Sequence, residues 1–315
     1  MTIEVRRLDP GDDSALLAYV RIRCDVTPDD ADSLEEIRWE DATYPGEVVR
    51  FLAQLDGETV GAGSTGRVHV HGPDHPRYWL GLWVRPASRR RGLGATLFRA
   101  ASDAARAAGK TGFQTWVSEA QQEAVAFLGN RGFVVVARDK IVGLDLRGMA
   151  APAPALPAGI VLRALADRPD LVAGVHAAAI ESFPDIPTAE EPVEVGSLEA
   201  FVARDVERTS IPKDAFFVAV DEASGEVAGY ASLKLAAGST TMAYHDMTAV
   251  RPAFRGRGVA TALKRATIAW AVGHGLEELR TGNDEDNAPM RAVNAALGYR
   301  PRPDYLELRG PLAPG

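Results

Sequence analysis

Residues 84–109 read VRPASRRRGLGATLFRAASDAARAAG, and residues 250–275 read VRPAFRGRGVATALKRATIAWAVGHG. At a constant offset of 166 residues, twelve of these 26 positions are identical. The same offset aligns Thr115 with Thr281 and Gly132-Phe133 with Gly298-Tyr299. At a slightly shorter offset, Leu144-Asp145-Leu146-Arg147-Gly148 matches Leu306-Glu307-Leu308-Arg309-Gly310. A period of roughly 150 residues is too long for a solenoid unit and has the size of a domain. The chain therefore contains one domain twice. Met149–Gly159, uncharged and rich in Pro and Ala, reads as a semi-stiff linker. An N-terminal domain is expected over 1–148 and a C-terminal one over 160–315.

Each copy shows the same succession of elements. An opening strand (3–8, 160–165) leads into an amphipathic helix carrying Leu16, Leu17 and Val20, or Leu171, Val172 and Val175. A hairpin follows: Phe51–Leu55 turns at Asp56-Gly57 into Thr59–Gly63, and Phe216–Val220 turns near Ser224-Gly225 into Val227–Leu233. A further strand (78–84, 244–250) enters a basic, glycine-containing turn and then an Ala-rich helix (94–108, 260–274). A strand, a short helix and a closing strand complete the copy. Strands and helices in this mixed order belong to the α/β or α+β class.

Composition excludes several functions. The 315 residues are 46% hydrophobic and 25% charged, which is enough apolar material for a core in each domain. No stretch approaches the roughly 20 apolar residues of a membrane-spanning helix. Met1–Arg7 reads as a strand without the apolar core of a secretory signal, so a cytoplasmic location is expected. Thirty-five basic against forty-three acidic residues give a net charge of −8, which repels nucleic acid and anionic membrane but admits a cationic small molecule. Cys24 is the only cysteine, which excludes an intrachain disulfide and a cysteine-based zinc site; no metal is expected.

The turn concentrates the chemistry. One copy has Arg89-Arg90-Arg91-Gly92-Leu93-Gly94 and the other Arg255-Gly256-Arg257-Gly258-Val259-Ala260, each between a strand and a helix. Backbone amides at a helix start converge on one spot and carry positive potential. Glycine lets the backbone approach a bulky anion, and arginine adds charge-assisted hydrogen bonds to phosphate oxygens. The expectation is a pyrophosphate site. It is neither a Walker A loop nor a dinucleotide fingerprint, since the lysine of the first and the third glycine of the second are missing.

The pattern R-x-x-G-x-[GA] after V-x-P, with Arg131-Gly132-Phe133 and Leu297-Gly298-Tyr299 further on, resembles the acetyl-CoA-binding motif of the GNAT superfamily of N-acyltransferases. The resemblance covers nearly the whole chain as two tandem domains. It implies, for each, a mixed, mostly antiparallel sheet flanked by helices and splayed at its fourth strand, with the pantetheine arm of acetyl-CoA between strands four and five. It places the pyrophosphate on Arg89–Gly94 or Arg255–Ala260 and pairs the backbone of Val84 or Val250 with the pantetheine amides. Asn283 and Asn287 match a family segment that touches pantetheine, while Asn287-Ala288-Pro289 also fits a helix N-cap.

In this family the catalytic carboxylate often lies on the strand before the turn. Counting back by twos from the terminal valine selects Thr248, Asp246 and Tyr244 in the second copy, but Leu82, Leu80 and Tyr78 in the first. The C-terminal copy is therefore expected to be catalytic, with Asp246 as base assisted by Tyr244 or His245. The N-terminal copy is expected to be degenerate or auxiliary, binding CoA or bracing the structure. Asp185, Glu190, Glu191, Glu194 and Glu199 crowd a segment that usually lines the acceptor cleft, a rim suited to a cationic amine. Many relatives carry, four residues before the glycine of [LR]-G-[FY], a tyrosine that protonates the departing thiolate; here Leu128 and Asn294 stand there. The implied activity is acetyl transfer from acetyl-CoA to a primary amine of a small acceptor. The alternatives are a mycothiol-synthase-like acetyltransferase, which shares the tandem layout, and a non-catalytic CoA-binding protein.

Overall fold

The computed structural model describes residues 1–315 except 45, 47, 69–70 and 186–194. The first part of the chain forms β1 (Ile3–Arg7), α1 (Asp13–Val26), α2 (Leu34–Thr43), β2 (Val48–Leu55), β3 (Glu58–Arg67), β4 (Arg77–Val84), α3 (Leu93–Ala107), β5 (Gly112–Ser118), α4 (Gln122–Gly129) and β6 (Val134–Asp145). There follow β7 (Ile160–Ala164), α5 (Val172–Ser182), α6 (Leu198–Phe201), β8 (Phe217–Asp221), β9 (Val227–Leu235), β10 (Met242–Val250), α7 (Val259–Gly273), β11 (Glu278–Asp284), α8 (Ala288–Ala296), β12 (Arg300–Pro301) and β13 (Tyr305–Pro311). Among the described residues, no helix is long and apolar enough to cross a membrane.

Two compact units result. Met1–Arg138 together with Asp304–Gly315 form the first, and Asp139–Pro303 the second. The sheet of the first unit has the order β1-β2-β3-β4-β5-β13, antiparallel throughout except for the parallel pair β4–β5. The second runs β6-β11-β10-β9-β8-β7, with β10–β11 as its parallel pair. Both are mixed, largely antiparallel sheets flanked by helices, the α/β class with tandem domains that the sequence implied.

Local chemistry explains the elements. Asp12, Ser33 and Ser197 each accept a hydrogen bond from a first-turn amide of the helix that follows. Asp56 and Gly57, with φ of 50° and 88°, form the left-handed pair that a two-residue hairpin demands. Alternation along β2 sends Phe51 and Ala53 to the face covered by α3 and Leu52 to the face covered by α1. In the second unit, Val218 faces the α5 cluster and Ala219 the α7 cluster.

The sequence copies and the compact units are not coextensive. The segment that closes the second copy, β13, pairs with β5 of the first unit from Tyr305↔Ser118 to Pro311↔Gly112. The segment that closes the first copy pairs through Asp139–Asp145 with β11 of the second unit. Leu306 and Leu308 accordingly lie in one core with Phe98, Phe113 and Phe133, and Leu144 in another with Leu279 and Tyr299. A cut at Met149–Gly159 thus misses the ends of both units.

Leu308 is 1% exposed within the first unit's core. Truncating it to Ala should cost about 3 kcal/mol and lower the denaturation midpoint. The loss should show in the fluorescence of Trp79, Trp83 and Trp116, which belong to that unit. A transition unchanged in those signals would refute the pairing.

Candidate active site

Both turns are built alike. Gly92 and Gly258 are the N-cap residues of α3 and α7, at φ 93° and 88°, and no side chain caps either helix. The first intrahelical bonds run from Thr96 N to Gly92 O and from Ala262 N to Gly258 O. The amides of Leu93, Gly94 and Ala95, and of Val259, Ala260 and Thr261, therefore have no intrahelical acceptor. Arg90 (φ 62°) and Gly256 (φ 72°) occupy a second left-handed position, which curls the backbone into an anion-binding concavity.

The arginines divide in role. Arg89 donates Nε–H to the Val84 carbonyl at 3.1 Å and pairs with Glu123 at 3.0 Å. Arg255 does the same to Val250 at 3.0 Å and to Asp185 at 2.6 Å. The first arginine of each turn thus ties the turn to the end of the preceding strand, and Asp185 is engaged there rather than at an acceptor rim. Arg90, Arg91 and Arg257 are exposed and form no ion pair among the described residues, so they carry the charge available to a phosphate.

Beside each turn the sheet opens. β4 pairs with β5 only from Arg77 to Trp79, and β10 with β11 only from Met242 to Tyr244. Beyond those points the strands diverge, and the edges along Leu80–Val84 and His245–Val250 lose their parallel partner. Such an edge can bond the amides of an extended ligand. In the first unit the opening is a cavity of about 1100 Å³ lined by Val84, Arg89, Arg90, Gly92, Leu93 and Gly94 on the turn side and by Tyr19, Arg23 and Arg50 opposite. Trp116, 42% exposed, also lines it.

In the second unit the cavity is about 270 Å³, and His245, Asp246, Thr248, Lys264, Asn283 and Asn287 are among the residues that line it. Residues Arg255–Ala260 do not line it. The pairing of β10 with β9 shifts register between His245 and Met247, so Asp246 is the extra residue of a β-bulge. β4 pairs with β3 without such a shift. The bulge corrects the count by twos, because alternation fails across it. His245, Asp246, Met247 and Thr248 all line the cavity, whereas Tyr244 does not. Asp246 is exposed at the mouth and accepts a bond from Ser232 Oγ at 3.4 Å. Asn283 Oδ1 accepts from Asn294 Nδ2 at 2.7 Å, and Asn287 caps α8 through Met290 N.

Burial sets the electrostatics. Desolvation holds the His245 imidazole well below its ordinary range, with the Lys264 charge adding to the effect. Its Nε2 lies 2.5 Å from the Tyr299 hydroxyl, while Nδ1 is buried without a partner. Lys264 is 1% exposed, and desolvation brings its ammonium down to about 7. Asp205 sits on a π-helical turn, Val202–Val206, and burial raises its carboxyl, a shift that Asp246 reinforces and Arg204 opposes.

Asp205 and Lys264 were not selected from the sequence. Nothing in Val202–Val206 forecasts a π-turn. Lys264, however, stands where the offset of 166 puts Phe98, and this exchange of a core aromatic for a cation was a visible signal. Glu190, Glu191 and Glu194 lie outside the described residues.

A family model described as the acetyltransferase (GNAT) family matches residues 17–133 and again residues 179–299. A mycothiol acetyltransferase of Amycolatopsis mediterranei is 29% identical over 267 residues, covering 81% of this chain and 83% of that protein. Another, from a Nocardioides species, is 28% identical over 283 residues, covering 80% and 91%. A solved tandem GNAT protein from the clavulanic acid biosynthesis pathway has a TM-score of 0.78 at 22% identity, with 100% of both chains covered. A GCN5-related N-acetyltransferase from Sphaerobacter thermophilus has a TM-score of 0.68 at 20% identity, covering 99% of this chain and 96% of that one. At such identities these two likenesses show the fold.

Between pH 7 and about 10 the unfolded chain keeps a proton on Lys264 that the folded chain has released, so stability rises with pH across that window. His245 acts in the same sense at lower pH, since the unfolded chain binds its proton below about 6.5 and the folded chain does not. Lys264→Met should flatten the rise above pH 7 and stabilise the protein at neutral pH, by roughly 4 kcal/mol at most. A melting temperature that varies with pH as in the parent would show that this ammonium is not desolvated.

Proposed function

The chain belongs to the acetyltransferase (GNAT) family and is an acetyl-CoA-dependent acetyltransferase; we propose that the second unit carries the reaction and that its acceptor is the primary amine of a small cationic molecule. The observation that carries this reading is the bulge that sets Asp246 at the mouth of the opening, on the stretch of β10 that has lost its parallel partner. The first unit offers Leu80 and Leu82 at the matching positions, on a strand without a bulge.

The amine attacks the thioester directly in a ternary complex. An alkylamine with a pKa near 10 arrives protonated, so it must lose a proton first. Asp246 takes that proton, directly or through a water molecule. Asp205, whose carboxyl feels the charge of Asp246, helps hold the incoming ammonium. The unpaired edge of β10 near Val250 supplies N–H groups to the oxyanion. The diphosphate of acetyl-CoA rests on Arg255–Ala260 and pantetheine runs past Asn283. The first unit is the auxiliary copy, and Arg89–Gly94 there keep the same anion-binding form. A second reading, acetylation of a mycothiol-type amine, is favoured by the 28–29% identity to the two mycothiol acetyltransferases.

Release of thiol from acetyl-CoA with a panel of amines tests the activity against mere binding. Asp246→Asn should lower kcat/KM about 100-fold near pH 7 and recover in part towards pH 9, as free amine accumulates. Unchanged activity across pH 6–9 would remove Asp246 from the base role. Calorimetry with CoA should count two sites, one of which Gly92→Val abolishes; a single site untouched by that change would contradict the anion-binding role of the first turn.

A further inference from the structure

The reaction ends with a thiolate that must be neutralised, and the position of the family's tyrosine holds Asn294, an amide with no proton to give. Asn294 is 1% exposed and spends its Nδ2 on Asn283. The offset of 166 residues shows what changed around it. Phe98, Phe133, Trp79 and Leu80 of the first copy correspond to Lys264, Tyr299, His245 and Asp246 of the second. Phe98 and Phe133 lie with ring centroids 6.0 Å apart inside an apolar core. In the second unit the same place holds an ammonium 5.4 Å from the Tyr299 ring. A set of polar residues has replaced an aromatic cluster beneath the opening, at a desolvation cost that packing does not explain.

Lys264 has no carboxylate within ion-pair distance among the described residues, although it lines the cavity. Tyr299, from the loop after α8, lies against it and His245 of β10 feels its charge, while Thr281 of β11 and the carboxylates Asp139, Asp246 and Asp284 line the same cavity. Two further buried polar atoms on cavity residues lack partners, His245 Nδ1 and Thr248 Oγ1. An unpaired buried cation beside orphaned polar atoms marks a place where a ligand completes the bonding.

We propose that Lys264 is the proton donor for the departing coenzyme A thiolate, which rests on the reading of the second unit as the acetyl-transfer site. The amine nitrogen forms the new N–C bond and the carbonyl π pair moves to oxygen. As that pair returns, the C–S bond breaks and its electrons go to sulfur. Lys264 Nζ–H then protonates the sulfur, leaving free thiol and a neutral lysine. Asp246 passes the first proton to water and then takes the second from the ammonium nitrogen of the tetrahedral adduct, so that a neutral amide is left, and Lys264 recovers its own proton from water. The acidities agree: a thiol near 8.5 is matched by an ammonium near 7. His245, held well below 6.5, carries no extra proton at neutral pH, and burial makes the Tyr299 phenol a still weaker acid than usual.

The test needs no acceptor. CoA is bound to the intact protein, its thiol is titrated by the ultraviolet absorbance of the thiolate, and desulfo-CoA serves as the blank. In the parent protein, the thiol bound in the second unit should ionise on the order of one unit below free CoA. In Lys264→Met it should ionise at or above the free value. Met keeps the position apolar, as Phe98 is in the other copy, so the fold is retained. Reciprocally, the Lys264 ammonium followed by NMR should hold its proton to higher pH with CoA than with desulfo-CoA. Equal thiol titrations in parent and variant, or a Lys264 titration indifferent to the sulfur, would overturn the proposal. No affinity for CoA in either protein would instead overturn the acetyl-transfer reading beneath it.

Discussion

Three residue pairs of parallel sheet, followed by divergence, govern what each unit can do. Between Met242 and Tyr244, β10 is held by β11; after Tyr244 it is not, and the strand continues with one edge unbonded into the turn that starts α7. Backbone amides deprived of a partner are tolerated only where water or a ligand meets them. Here the bare strand edge leads directly to a helix start that no side chain caps. An extended molecule carrying amides at one end and a diphosphate at the other, as in the proposed placement of acetyl-CoA, would satisfy both sets together. The staple from Arg255 to the Val250 carbonyl keeps the two in register.

The duplication provides an internal control for what is specific to chemistry. Turn, staple and divergence occur in both units, so they are common to the fold and do not distinguish the two copies. The bulge at Asp246, the buried Lys264 and the contact of His245 with Tyr299 occur only in the second. Burying such groups opposes stability, whereas the aromatic cluster around Phe98 favours it. The first unit spends its polar side chains elsewhere. Arg23 pairs with Asp32 and lies over Trp83, and Arg50 pairs with Asp41 and Glu40, across a much wider cleft.

Much of this was legible in the chain itself. Repetition of a basic, glycine-bearing turn between strand and helix forecasts the left-handed backbone found at both helix starts, because that conformation restricts which residues can stand there. Asn287 followed by Ala288 and Pro289 announced an N-cap and is one. The count by twos along β10 selected Asp246, yet it left out Met247 and included Tyr244, because a bulge leaves no mark in residue types. Lys264 carried a signal only in comparison with Phe98. Asp205 carried none, since its place depends on a π-turn held by tertiary contacts.

The order of elements, the duplicated turn and the polar character of the second copy's strand follow from the sequence alone, because they rest on local backbone geometry and periodicity. The partner of each closing strand does not. Leu144–Gly148 and Leu306–Gly310 are nearly the same pentapeptide, so each presents the same alternating leucines and the same hydrogen-bonding edge to either sheet. Only the three-dimensional path of the chain puts β13 beside β5 and Asp139–Asp145 beside β11, and so makes each compact unit from both halves of the sequence.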